Sequence, residues 1–197
     1  MTATATVTAT ATARRAALAP IAVGAVAGLA WAAGFRGFMV EIAGAESAVE
    51  WTGTFAGILL PGAVTGGLLG WAEHLRRTGG HRHARWLALA PLTFVVATPG
   101  VLVSVFTDGG IGGGAIGVPL FAMAGGYALG GRGRVWSRAL AGAVALLPIV
   151  GWAAAAGAVG GDRLALVTPR GAWVAVLFGS FLAVLALGCA IPHRAGR

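Results

Sequence analysis

The chain has 197 residues, of which 57% are hydrophobic and 10% are charged, and its formal net charge is +8. A soluble domain carries about 25% charged residues, so this chain has too few charges to cover a globular surface. All fourteen basic residues are arginines in short stretches between apolar runs. Membrane orientation explains that pattern better than nucleic-acid binding. The composition therefore predicts an all-α polytopic membrane protein and excludes a nucleic-acid partner.

The chain divides into two short tails and one membrane domain. Residues 1–15 begin with alternating threonine and alanine, so we expect a disordered cytoplasmic tail. Residues 16–191 form a single domain of six apolar runs, each near the roughly 20 residues that a helix needs to cross the hydrocarbon. Residues 192–197 form the second cytoplasmic tail. The six runs are Ala16–Phe35, Thr52–Ala72, Trp86–Phe106, Ile111–Gly130, Ala139–Val159 and Ala172–Ile191.

The arginines predict the orientation of these helices. If the six runs all cross the membrane, eleven of the fourteen arginines fall on one side, leaving Arg36, Arg163 and Arg170 on the other. Arginine accumulates on the cytoplasmic side of membrane proteins. We therefore expect both termini in the cytoplasm and a location in the bacterial plasma membrane.

Prolines lie inside nearly every run and predict kinked helices, because proline removes a backbone donor from the helix. The third run combines Pro91 with the sequence Thr98-Pro99-Gly100. We therefore predict a kink or an unwound turn around Val96–Val101.

Small residues recur at four-residue spacing in the first two runs, as Gly24, Gly28 and Ala32 and as Gly62 and Gly66. This spacing lets membrane helices approach closely, so we expect tight packing between these runs. The seven tryptophans fall mostly at the ends of runs, as expected for the aromatic belts at the membrane surfaces.

Charge is densest in the segment Arg36–Trp51, which holds one arginine and three of the six acids. Arg36 has two interpretations. Its side chain reaches the outer headgroups, or the first helix continues to about Ala43 and Arg36 needs an acidic partner. Glu41 lies about 140° round a continuous helix from Arg36, so Glu46 or Asp108 is the better partner.

We predict an outward-facing ligand site made of Arg36, Glu41, Glu46 and Asp108. Ser47 and Glu50 have the spacing of a capping box, and this predicts Ser47 as the N-cap of the second helix.

The same segment resembles one found in uncharacterised small membrane proteins of high-GC bacteria. In those proteins, an Arg-x-aromatic-Met segment is followed by acids and then by Trp-x-Gly-Thr. The resemblance covers about a quarter of the chain and carries no function with it. The matching residues are Arg36, Phe38, Met39, Trp51, Gly53 and Thr54.

Two other stretches bear on metals and cofactors. Glu73, His74, His81 and His83 share a segment with four arginines, whose charge opposes a divalent cation. The glycine-rich stretch from Asp108 to Gly114 has no Lys-Ser/Thr of a nucleotide loop. We expect neither a metal nor a cofactor.

Three functions remain open. The first is handling of a small solute or lipid, as a transporter, a substrate-binding subunit of a transporter or a lipid-handling factor. The second is a non-catalytic accessory subunit of a membrane complex, which needs protein partners. The third is an enzyme acting on a lipid or isoprenoid, with Glu41, Glu46 or Asp108 as the proton donor.

Overall fold

The computed structural model describes residues 2–79, 84–97 and 114–194, and for residues 2–15 it describes the backbone alone. Every regular element in these ranges is helical. Helices α1, α2, α5 and α6 are long and apolar enough to cross a membrane, while α3 and α4 are shorter apolar helices. The helices are α1 (Thr2–Ala43), α2 (Trp51–Arg77), α3 (Arg85–Ala97), α4 (Gly114–Leu129), α5 (Val135–Gly160) and α6 (Pro169–Cys189).

Helix α1 is longer than the first apolar run at both ends. It begins at Thr2. The expected disorder of residues 1–15 stays a prediction. Alanine has the highest helix propensity, and alternating it with threonine does not prevent the helix from extending. At the other end, α1 continues past Arg36 to Ala43. Gly44 then turns the chain with a φ of 61°, a backbone conformation that glycine adopts without strain.

The helix ends gather at two poles, which we call the outer and inner ends after the arginine distribution. The 3₁₀ turns Gly44–Glu46 and Gly161–Leu164 lie at the outer end. The 3₁₀ turn Ile191–His193 lies at the inner end, where His193 packs against Gly130 and its ring makes an edge contact with Tyr127.

Glycines bring α1 and α2 into backbone contact. A Cβ atom built on Gly66 would overlap the Gly24 carbonyl oxygen and lie 2.8 Å from the Gly28 Cα. One built on Gly62 would lie 2.8 Å from the Gly28 carbonyl oxygen and overlap the Ala32 Cβ. The close packing predicted from the four-residue spacing is therefore confirmed.

Aromatic side chains fill the core between α1, α3, α5 and α6. Trp31 stacks on Phe35 at 5.5 Å between ring centroids, and its indole Nε1 donates to the Phe181 carbonyl at 2.7 Å. Phe38 packs against Trp152 at 5.3 Å. Trp31 and Trp152 thus belong to the core rather than to an aromatic belt. Two of these rings, Phe35 and Phe38, flank Arg36 on α1.

Helix α3 is irregular, as its prolines suggest. Its first part, Arg85–Leu92, is a 3₁₀ helix that contains Pro91, and Thr93–Ala97 is α-helical. Runs of 3₁₀ helix longer than three or four residues are uncommon. The predicted kink at Pro99 and the rest of the third run lie outside the described residues.

Candidate functional site

Arg36 holds the loop that follows α1. Its side chain is half-buried and donates three hydrogen bonds. Nη1 donates to Ser47 Oγ at 3.0 Å, Nε to Thr54 Oγ1 at 3.2 Å, and Nη2 to the Ala48 carbonyl. Because one planar guanidinium reaches all three acceptors, it fixes residues 44–50 against α1. The chain thus adopts the second interpretation, in which the first helix runs past Arg36.

The predicted ion pair between Arg36 and Glu46 is not formed. Among the described residues, Arg36 contacts neutral oxygens and no carboxylate. Glu46 ends the Gly44–Glu46 turn and is exposed, while Asp108 lies outside the described residues. Hydroxyl and carbonyl oxygens accept from a guanidinium just as carboxylates do, and the loop brings these oxygens closer than Glu46.

Two further arginines bind the end of α1, and sequence reasoning missed both contacts. Arg163 donates from Nη1 to the Glu41 carbonyl at 2.8 Å and from Nη2 to the Ile42 carbonyl at 2.9 Å. Arg170 Nε lies 2.9 Å from Glu41 Oε2. The last carbonyls of a helix lack partners within the helix and attract cations. That rule could have suggested an arginine here, but not which one.

The predicted capping box is wrong. Helix α2 begins at Trp51, and its N-cap is Glu50, which makes no side-chain cap bond. Ser47 lies three residues before this N-cap, and its hydroxyl accepts from Arg36 instead. The Glu50 amide instead donates to Thr54 Oγ1 at 3.4 Å.

The first part of α2, Trp51–Leu59, is a π-helix. Most π-helical segments are single turns, and they often occur at functional sites. Thr54 is 6% exposed within it and accepts from Arg36. Together with Glu41, Ser47, Arg163 and Arg170, these two residues form what we call the outer cluster. Its charged groups are engaged by contacts within the chain.

A groove of about 480 Å³ runs along the interface of α1, α2 and α6, and we call it the glycine groove. Its walls are almost wholly apolar, because the larger lining residues are mostly aliphatic and the amides of the lining glycines are bonded within their helices. These glycines are Gly24, Gly28, Gly62, Gly66, Gly70 and Gly188. It extends from Trp31, in the middle of the apolar span Ala16–Glu46, to Pro20 towards the inner end. These twelve residues, eleven steps along the helix, correspond to about 16 Å.

Glu73 and Arg77 line the inner end of the glycine groove. Arg76 donates to both oxygens of Glu73 at 2.7 Å, and Arg77 Nε donates to Oε1 at 2.6 Å. The Arg77 side chain is 68% exposed, whereas Glu73 is 18% exposed. Glu73 therefore serves as an ion-pair partner in the described residues. His81 and His83, considered with it as metal ligands, lie outside those residues.

Between its two ends, the glycine groove is also lined by the polar residue Thr65. Thr65 is 2% exposed, and its hydroxyl lies 2.6 Å from the Thr93 hydroxyl of α3. Hydroxyls buried between membrane helices pair with each other, because hydrocarbon offers no partner. This pair joins α3 to α2 behind the groove.

The helices and the apolar groove define an all-helical membrane protein. No protein-family model, curated protein or solved structure matches this chain.

Proposed function

We propose that the protein crosses the bacterial plasma membrane six times, with both termini cytoplasmic, and handles a lipid or lipid-like small molecule within the bilayer. Ligand binding is supported by one observation, the glycine groove. Its volume of about 480 Å³ falls within the roughly 300–1,000 Å³ typical of small-molecule sites, and its walls are apolar.

Two observations support six crossings. Helices α3 and α4 are apolar, although each is shorter than the four long ones. The helix ends also fall at two opposite poles. Arg163, after α5, contacts the end of α1 at the outer pole, and His193, after α6, contacts Gly130 at the end of α4 at the inner pole. The arginine bias then assigns the inner pole to the cytoplasm.

Single-cysteine labelling tests this topology. Cys189 is 1% exposed, so the native thiol gives little background in the folded protein. We expect a membrane-impermeant maleimide added to intact cells to label Ala45→Cys and Val167→Cys, because both positions are exposed at the outer end. Arg132→Cys, exposed at the inner end, should react only after the cells are opened. Labelling of Arg132→Cys in intact cells would contradict the proposed orientation.

The glycine groove is a better-supported ligand site than the outer cluster. Arg36 and Glu41, predicted as ligand-binding residues, are engaged with Thr54 and Arg170. The groove, in contrast, has an unfilled apolar volume. A ligand role for Glu46 and Asp108 stays a prediction.

Filling the groove tests the proposed function. Ala27 lines the groove and is exposed, so a tryptophan there occupies its volume without entering the α1–α2 contact. We expect Ala27→Trp to remove most of the lipid or small molecule that copurifies with the protein, as measured by native mass spectrometry.

The matched control is Ala22→Trp, an exposed position on α1 outside the groove. It should retain the wild-type ligand. If Ala27→Trp retains the ligand equally well, the groove is not the binding site.

The second candidate function is an accessory subunit of a membrane complex. It is favoured by exposed apolar side chains at the outer end, where Val167 is 94%, Trp51 79% and Val49 67% exposed. Contiguous exposed apolar surface marks sites that meet lipid or another protein. Two results together would favour this function over the first: copurification of a stoichiometric protein partner, and an Ala27→Trp variant that retains as much ligand as the wild type.

A further inference from the structure

The inner end of the glycine groove is positively charged. Glu73 and Arg77 line its mouth, and Arg76 pairs with Glu73 beside it. One carboxylate therefore faces two guanidinium groups, and a net positive charge remains. Both oxygens of Glu73 accept hydrogen bonds from these arginines. The carboxylate is therefore compensated and does not make the mouth acidic.

Arg77 has unused hydrogen-bond donors at this mouth. Its Nε is taken by Glu73, but its two terminal nitrogens contact no acceptor in the part of the chain that the structure describes. Its side chain is 68% exposed and lines the groove. A guanidinium with a free edge binds a phosphate group through two parallel hydrogen bonds.

The length of the groove matches one leaflet. Its extent of about 16 Å along α1 is close to half of the roughly 30 Å hydrocarbon core. It therefore fits an acyl chain that begins at the inner membrane surface and ends near the middle of the bilayer, beside Trp31.

We propose that the glycine groove binds an anionic phospholipid of the inner leaflet, with one acyl chain along α1, α2 and α6 and the phosphate on Arg77. This inference rests on the proposed function, which makes the groove a binding site. Glu73 acts as a positioning residue, because it accepts from Arg77 Nε and leaves the two terminal nitrogens for the phosphate. A zwitterionic lipid fits the apolar groove equally well but lacks the net negative charge that the mouth favours.

Competition between two lipids tests the proposal. Full-length protein in mild detergent is incubated with equal amounts of phosphatidylglycerol and phosphatidylethanolamine that carry the same acyl chains. Native mass spectrometry then counts each bound lipid. We expect wild-type protein to retain phosphatidylglycerol about fivefold over phosphatidylethanolamine, the effect of one arginine near the membrane surface.

Substitution of Arg77 should abolish this preference without abolishing binding. Arg77→Gln is expected to lower the ratio to about one while the total lipid bound stays the same. Arg85→Gln is the matched control, because Arg85 is an exposed inner arginine outside the groove, and it should keep the wild-type ratio. Arg77→Lys retains the charge but loses the fork, so an intermediate ratio is expected. Arg77→Lys also provides the test of Arg77 if Arg77→Gln does not fold.

Two results would overturn the inference. One is an unchanged ratio in the Arg77 variants, and the other is an equal loss of preference in Arg85→Gln. If Ala27→Trp lowers the total lipid bound while the Arg77 variants keep the ratio, the proposed function stands and the headgroup assignment fails. If Ala27→Trp leaves total binding unchanged, the proposed function itself fails.

Discussion

Replacing Gly66 with alanine is expected to separate α1 from α2 and to lower the free energy of unfolding by about 3 kcal/mol, the upper part of the usual range for overpacking. The added Cβ would overlap the Gly24 carbonyl oxygen and lie 2.8 Å from the Gly28 Cα. Both are backbone atoms of a helix, so no side-chain rotation relieves the clash. The two helices must move apart, and the glycine groove between them must change shape.

The buried Cys189 thiol reports this loss of stability, because it becomes accessible to a thiol-reactive dye only on unfolding. In detergent we expect Gly66→Ala to shift the unfolding midpoint down by roughly 6–12 °C. Gly34→Ala on α1 is the control, since a Cβ there meets nothing within 4 Å. Equal midpoints for the two variants would mean that α1 and α2 are not in backbone contact.

Replacing Arg36 with alanine is expected to release the loop between α1 and α2 and to lower the free energy of unfolding by about 2 kcal/mol. Three hydrogen bonds are lost, and Thr54, at 6% exposure, is left without its charged donor. Hydrogen bonds to charged groups contribute about 1.5–3 kcal/mol each when buried, and partial exposure of this site lowers the total.

Arg170→Ala is the matched control at the outer end. Its ion pair with Glu41 is half-exposed, so its loss should cost less than about 1 kcal/mol. The Cys189 dye assay compares the two variants, and hydrogen exchange should show faster exchange at residues 47–54 in Arg36→Ala alone. Arg36→Lys should fall between wild type and Arg36→Ala. The assigned contacts would be wrong if Arg170→Ala destabilised the protein as much as Arg36→Ala.

The apolar runs predicted most of the helices because hydrocarbon leaves the backbone no partner outside the helix. The run Ala172–Ile191, for example, corresponds to α6, which starts three residues earlier at Pro169. Thr168 caps that start by accepting from the Gly171 amide at 3.0 Å. Helix ends depend on such local caps and on polar residues at the membrane surface, so apolarity alone does not locate them.

The close contact of α1 and α2 was predictable because it follows from residue size at a local spacing. The partners of Arg36 were not, since they depend on the path of residues 44–50. That path includes a turn at Gly44, where a φ of 61° leads the chain back over α1. The contact of Arg163 with Glu41 joins residues 122 apart in sequence, a distance over which local patterns carry no information.

The same separation has a consequence for biogenesis. The carbonyls at the end of α1 are synthesised well before Arg163, which binds them. The carboxylate of Glu41 is synthesised 129 residues before its partner Arg170. At the roughly 5–20 residues per second of protein synthesis, that interval lasts about 6 to 25 seconds. Helix α1 is therefore synthesised before the arginines that bind its outer end. A chain that ends before Arg163 leaves the Glu41 and Ile42 carbonyls without these two donors.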